Sequence, residues 1–346
     1  MKKGCKYGTH RVLEPKGVLP QPALKIDNTM EIYDNEILID VQSLNVDSAS
    51  FTQIEVEAGH DVEKIKAKIL EIVGERGKQQ NPVTGSGGML IGTIAEIGSA
   101  LEGKTDLKVG DKICTLVSLS LTPLKIEKII DVKTDKDRVD IVGKAIMFES
   151  GIYAKLPTDM EENLALAALD VAGAPAQVAK LVKPGDSVLV LGAAGKSGLL
   201  CCYEAVKRVG PTGRVIALVR NEKRAENLKR LNLKNLEFIY GDATDAMDVL
   251  NKTLEANNGK EVDIAINVVN VQNTEMSSIL PVRDDGTVYF FSMATSFTKA
   301  ALGAEGIGKD VNMIIGNGYT KGHAEITLEE LRENDTLKAI FQELFI

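Results

Sequence analysis

The stretch Ser187-Val-Leu-Val-Leu-Gly192-Ala-Ala-Gly195-Lys196-Ser197-Gly198 constrains this chain more than any other. Its short apolar run, with β-branched Val188 and Val190, favours a buried strand. Three glycines follow at a spacing of three, and a helical pattern starts at Leu199. A strand, a glycine turn and a helix N-terminus together make a site for a pyrophosphate. The glycines let the backbone approach the anion without Cβ clashes, and the free N–H groups of the first helical turn point at it. The spacing Gly-x-x-Gly-x-x-Gly departs from the commoner Gly-x-Gly-x-x-Gly, so the surrounding pattern decides its weight.

That pattern is regular. From Ser187 onward, strands are expected at 187–192, 214–220, 236–240, 262–268, 286–292 and 311–316. Helices are expected at about 197–209, 222–231, 244–257, 272–280 and 325–333. With right-handed crossovers, this alternation predicts an α/β fold built on a doubly wound parallel sheet, and six strands match its dinucleotide-binding version. The preceding chain reads differently. Short β-like segments joined by glycine turns, among them 36–42 and 89–98, suggest a partly open barrel or sandwich up to Pro157. One helix is expected at 61–73, closed by Gly74 and Gly77. Residues 159–183 read as helical, with a break near Gly173 and Pro175. The chain of 346 residues therefore divides into 1–157, 158–320 and a helical C-terminal segment, 321–346.

In this setting Gly192, Ala194, Gly195, Lys196, Ser197 and Gly198 are expected to hold the diphosphate of a dinucleotide. About 20 residues after the turn, where an acid would bind the ribose hydroxyls of NAD, the second strand ends at Arg220-Asn221, with Lys223 and Arg224 close behind. A guanidinium pairs with a 2′-phosphate that a carboxylate would repel. The expected cofactor is NADP, or both NADP and NAD. Asp242 follows the third strand, where adenine would lie. Val269 and Asn270 follow the fourth strand, and Ser292 and Met293 the fifth; loops at these strand ends face the cofactor.

Net charge is −8, which argues against a nucleic-acid partner. No apolar run is long enough to span a membrane, and no apolar core follows the basic N-terminus as in a signal peptide. The cysteines, Cys5, Cys114, Cys201 and Cys202, form no Cys-x-x-Cys pair. A reduced, cytoplasmic protein without a cysteine-based zinc site is expected.

Three segments in order, Leu107-Lys-Val-Gly-Asp-Lys-Ile, Tyr153-Ala-Lys-Leu-Pro-Thr-Asp-Met and Val182-Lys-Pro-Gly-Asp-Ser-Val-Leu-Val-Leu-Gly, resemble the medium-chain dehydrogenase/reductase superfamily. The resemblance implies a GroES-like catalytic domain ahead of a Rossmann domain. It also implies a metal-free site. Asp47 stands where the zinc-dependent members carry cysteine, Ser86 replaces the histidine of Gly-His-Glu, and the third ligand falls near Ala167–Asp170. Asp47, Ser86 and Asp170 make a poor zinc set, so no metal is expected. Gly59-His60-Asp61 imitates a ligand motif, but Asp61 reads as a helix N-cap. His10, His60 and His323 are isolated, and only His323, after Gly318-Tyr-Thr-Lys-Gly, is kept as a distant candidate.

The segments 143–154 and 168–177, with the glycine turn, further resemble a zinc-free family that oxidises an amine of a diamino acid in lysine fermentation and releases ammonia. That implies a small amino-acid substrate with two ammonium groups. Asp47 is then the first candidate for the base, in a cleft whose closure desolvates it, Asp170 for anchoring the substrate, and Ser86 a weaker candidate. The residues themselves leave alternatives: Asp47 and Asp170 as turn caps, a zinc-free quinone or enoyl reductase, or a nucleotide-binding sensor without catalysis. Members of the superfamily pair through the edge of the Rossmann sheet, here near Val311–Gly316, so a homodimer or larger homo-oligomer is expected.

Overall fold

A computed structural model describes residues 2–316 and 318–346. The chain forms two compact units, Met1–Thr158 and Asp159–Ile346.

The first unit contains β1 (Val12–Glu14), β2 (Lys25–Ile26), β3 (Glu36–Val46), α1 (Ser48–Glu57), α2 (Val62–Arg76), β4 (Gly88–Ile97), β5 (Lys112–Thr115), β6 (Leu124–Lys133), β7 (Arg138–Phe148) and β8 (Tyr153–Lys155). Six of its strands make an antiparallel sheet in the order β6-β7-β3-β4-β5-β8. Its central strand β3 buries Ile37, Ile39, Val41 and Leu44, and α2 adds Ile65, Ile69, Ile72 and Val73 to the same core. The helical spacing of these four residues puts them on one face. Asp61 caps α2 by accepting from the backbone N–H groups of Glu63 and Lys64. The far end differs from the expected one. Gly74 remains inside the helix, where its missing side chain leaves only open space, and Gly77, at φ 74°, closes it in the left-handed conformation.

The second unit starts with α3 (Glu162–Leu169) and α4 (Gly173–Leu181), broken where expected. Then come β9 (Ser187–Leu191), α5 (Lys196–Val209), β10 (Arg214–Val219), α6 (Glu222–Arg230), β11 (Leu236–Tyr240), α7 (Ala246–Ala256), β12 (Val262–Asn267), α8 (Glu275–Ile279), β13 (Val282–Phe290), α9 (Phe297–Ile307), β14 (Asn312–Ile315), α10 (His323–Glu333) and α11 (Asp335–Phe345). The sheet order is β11-β10-β9-β12-β13-β14, and every pairing is parallel. Both faces of the central strand are covered: Val188, Leu189, Val190 and Leu191 are fully buried, each stabilising the fold by roughly 1.5–3 kcal/mol relative to exposure. In this order the sequence of strands reverses between β9 and β12, where ligands bind in doubly wound sheets.

One helix exceeds the periodicity reading. Helix α9 occupies a glycine-containing stretch, held by Ala300 and Ala304, which pack into the sheet core. Helices α10 and α11 pack on α3, α4 and α5, so the C-terminal segment is part of the second unit. Among the described residues no single helix is long and apolar enough to cross a membrane.

Candidate active site

The glycine turn between β9 and α5 is built by close approaches that only glycine permits. Gly192 has φ 84°, and a Cβ there would lie 2.9 Å from Val269 Cγ2. A Cβ on Gly198 would lie 2.2 Å from the Gly192 carbonyl oxygen. Gly195 is different. Its φ is −81°, and a Cβ there would meet nothing nearer than the Gly192 carbonyl oxygen at 3.5 Å. The fold does not need glycine at 195, and the space over it opens into a cavity.

That cavity has a volume of about 820 Å³ and lies at the switch between β9 and β12. Gly192, Ala194, Gly195, Lys196 and Ser197 line one wall. Arg220, Arg224 and Asp242 line the side beyond β10 and β11. Val269 and Asn270 line the side beyond β12. The first-turn amides of α5 have no intrahelical acceptor and carry the positive end of the helix dipole. A glycine-walled cradle with these donors, one lysine and two arginines suits the diphosphate of a dinucleotide.

Four residues expected at the cofactor lie outside the lining. Gly198 is buried beneath it and serves the turn's packing. Asn221 caps α6, accepting from Arg224 N at 3.1 Å and thereby placing Arg224 in the first helical turn. Ser292 bonds the Ala294 N–H, and the Met293 side chain is 91 % exposed. Conversely, Val171, Leu218, Val219, Gly241, Ala243, Thr244 and Val271 line the cavity without having been expected there. Most are chain neighbours of the expected residues and follow from the strand ends. Val171 comes from the break between α3 and α4, which periodicity does not join to the sheet.

Asp242 accepts from both the backbone N–H and the hydroxyl of Thr244. These bonds, with the nearby Arg220 charge, hold its carboxyl below the usual range. Asp170 sits just past α3 and pairs with Lys196, Oδ2 to Nζ 2.7 Å. Lys196 also lies over the Phe345 ring, 5.9 Å from its centroid. With side chains 29 % and 54 % exposed, the Lys196–Asp170 pair stabilises the fold by only about 0–1 kcal/mol; what it sets is where the ammonium points.

Within the first unit, the segments that resemble metal-binding ones in the superfamily do converge. Asp47 precedes α1, and its Oδ2 accepts from Gly87 N at 3.0 Å. The buried Ser50 hydroxyl, one turn on, bonds the hydroxyls of both Ser86 and Thr84. Asp47 does not cap its own helix, and it is exposed rather than desolvated. Among the described residues no group of three or more His, Cys, Asp or Glu side chains gathers as a metal site.

The three histidines are placed apart. His10 bonds the buried Glu36, itself held by Arg11. His60 is exposed. His323 opens α10, buried and edge-on to Tyr319, and burial lowers its pKa.

Residues 10–157 match the family model for the N-terminal domain of L-erythro-3,5-diaminohexanoate dehydrogenase. The chain is 75 % identical over 344 residues to the L-erythro-3,5-diaminohexanoate dehydrogenase of Acetoanaerobium sticklandii, covering 99 % of this chain and all of that one. It is 72 % identical over 346 residues to the enzyme of the same name from Fusobacterium nucleatum, with both chains fully covered. Among solved structures it is similar to an Escherichia coli quinone oxidoreductase complexed with NADPH, at TM-score 0.51 and 17 % identity over 90 % of this chain and 81 % of the other; this likeness is one of fold. With both sheets, the glycine turn and full-length identity above seven residues in ten in agreement, the chain belongs to the L-erythro-3,5-diaminohexanoate dehydrogenase family of oxidoreductases.

Proposed function

We propose that the chain catalyses the NAD(P)-dependent oxidative deamination of L-erythro-3,5-diaminohexanoate to 5-amino-3-oxohexanoate and ammonia, in the cytoplasmic breakdown of lysine. The observation that carries the cofactor half of this reading is the open space over Gly195, bounded by helix amides, Lys196 and two arginines. The substrate comes from the names of the two relatives. When bound, the nicotinamide ring accepts the hydride leaving C3.

The chain's own residues supply the rest. Asp47 takes a proton from the C3 ammonium, because only the neutral amine has the lone pair that expels hydride. The product is an iminium. Water adds to its carbon, nitrogen leaves as ammonia, and Asp47 moves the remaining proton. The Ser86 hydroxyl, polarised by Ser50 and Thr84, offers a hydrogen bond beside it. Asp170 takes a different part from substrate anchoring. Its carboxylate is committed to Lys196 and aligns that ammonium with the cofactor's diphosphate. Arg220 and Arg224 favour NADP over NAD by pairing with the 2′-phosphate. NADPH in the quinone oxidoreductase of the same fold supports a nicotinamide cofactor. The edge strand β14 and helix α9 expose Ile315, Phe297 and Leu302, a surface for pairing with a second copy.

The test is direct. Purified protein is mixed with the diamino acid and either NAD+ or NADP+, and reduced nicotinamide and ammonia are measured. Equimolar formation of both supports the proposal. Oxidation of NADPH by quinones without amine activity replaces it with a reductase, and nucleotide binding with neither activity replaces it with a sensor.

A further inference from the structure

The last residue of β12, Asn267, is fully buried and uses both ends of its side-chain amide. Its Oδ1 accepts from Val269 N at 3.1 Å. Its Nδ2 donates to Thr274 Oγ1 at 2.8 Å and to Ser278 Oγ at 2.9 Å. The Ser278 hydroxyl in turn donates to the Thr274 carbonyl. The side chain therefore ties the loop after β12 to the start of α8. The backbone carbonyl of the same residue accepts from Phe291 N and Ser292 N, at 3.0 and 3.3 Å, where the chain leaves β13.

One residue thus joins the ends of two neighbouring strands. The loop it holds, 268–271, is a wall of the cavity, and within that loop Val269 packs so closely on Gly192 that a Cβ there would clash. In a doubly wound sheet the strands beyond the switch form the second mononucleotide half, and the loops after β12 and β13 belong to it. We propose that Asn267 is the positioning residue for the nicotinamide half of the cofactor. It fixes the 268–271 loop against the glycine turn and leaves the adenosine half to Arg220, Arg224 and Asp242. This rests on the dinucleotide reading of the cavity.

Asn267→Ala removes all three side-chain bonds. Asn267→Asp keeps the acceptor for Val269 N and lets the Thr274 hydroxyl donate to the new oxygen, while the Ser278 hydroxyl stays on the Thr274 carbonyl. Ser278→Ala removes one of the three Asn267 side-chain bonds, together with the hydroxyl's own bond to the Thr274 carbonyl, and guards against a loss of folding. Each variant is compared with the unaltered protein by calorimetric titration with NADPH and with 2′,5′-ADP, which lacks the nicotinamide half, and by amide hydrogen exchange without nucleotide. For Asn267→Ala, NADPH affinity falls about tenfold or more, the scale of one or two lost hydrogen bonds, while 2′,5′-ADP affinity changes less than about twofold. Exchange rises in 268–274 and not in β9 or β10. Ser278→Ala shows the same selectivity at smaller size, and Asn267→Asp recovers part of the NADPH affinity. Equal losses for both ligands with protection lost throughout the sheet, or faster loop exchange with NADPH affinity unchanged, overturn the inference. Failure of the unaltered protein to bind NADPH, NADH or 2′,5′-ADP overturns the dinucleotide reading itself.

Discussion

The two candidate sites are built in opposite ways. In the second unit the cradle is made of backbone: a glycine turn, the amides of α5 and a loop pinned by a buried asparagine, with charged side chains only at its rim. In the first unit the cluster is made of side chains, Asp47, Ser50, Thr84 and Ser86, hung on a helix start and a short loop. A backbone site binds whatever carries a diphosphate and is insensitive to most substitutions. A side-chain site carries the specific chemistry and fails at a single atom.

The largest effect should come from the side-chain site. Asp47→Asn removes the proposed base with little change of shape, so kcat for amine oxidation should fall by about 10²–10⁴ while dinucleotide affinity and melting temperature stay within error. A variant with near-normal kcat would move the base elsewhere and erase the contrast.

A pair of glycines breaks the comparison inside the backbone site. Gly198→Ala places a methyl 2.2 Å from a backbone carbonyl oxygen and should destabilise the fold by about 1–3 kcal/mol, seen as a lowered denaturation midpoint. Gly195→Ala meets nothing nearer than 3.5 Å, so its stability should change by less than about 0.5 kcal/mol. Its methyl instead fills the space over the helix start, and dinucleotide affinity should drop about tenfold or more in a titration. Equal behaviour of the two variants would mean that nothing binds above Gly195.

At the rim, Arg220→Ala should weaken NADP binding about tenfold and leave NAD binding nearly unchanged, read as the ratio of the two affinities. If both fall together, Arg220 serves the adenine or the diphosphate and not a 2′-phosphate.

The smallest effects concern carboxylates remote from either site. Glu36 and Glu330 are both fully buried, one in each unit. Burial pushes the Glu36 carboxyl up, but hydrogen bonds from Arg11 and His10 outweigh it and lower the pKa to about 2. Its folded pKa lies below the unfolded value, so its stabilisation is present above about pH 4.5 and is lost as pH falls toward 2. Glu330 has neither oxygen hydrogen-bonded, and burial, reinforced by the nearby Glu204, raises its pKa well above the usual carboxylate range. The sign is reversed: its stabilisation is complete below the unfolded pKa and fades as pH rises toward the folded one. Glu330→Gln should therefore raise stability at pH 8 more than at pH 5. Urea titrations at the two pH values check this, and a larger gain at pH 5 would mean that Glu330 is charged in the folded protein.

Much of the fold is legible along the chain because it rests on local periodicity. The strands 187–192, 236–240 and 262–268 fall within a residue of the observed ones, since four or five consecutive apolar residues covered on both faces leave little ambiguity. Helix ends are harder. Gly74 and Gly77 are the same residue type three positions apart, and only the contact surface of α2 decides which one closes it. Helix α9 is illegible for a related reason: its glycines lower local propensity, and burial of Ala300 and Ala304 makes up the difference.

By itself the sequence determined the doubly wound unit and the place of the glycine turn between β9 and α5, because strand pattern and glycine spacing are properties of neighbouring positions. Tertiary structure decided the partners. Lys196 meets Asp170 across 26 residues, Asn267 meets Ser278 across 11, and Ser50 meets Ser86 across 36. No periodicity encodes such pairs, since each exists only once packed elements bring two polar groups within hydrogen-bond reach. The opening glycine turn is thus legible in the sequence, but what pairs its lysine and braces the far wall of its cavity is a product of the fold.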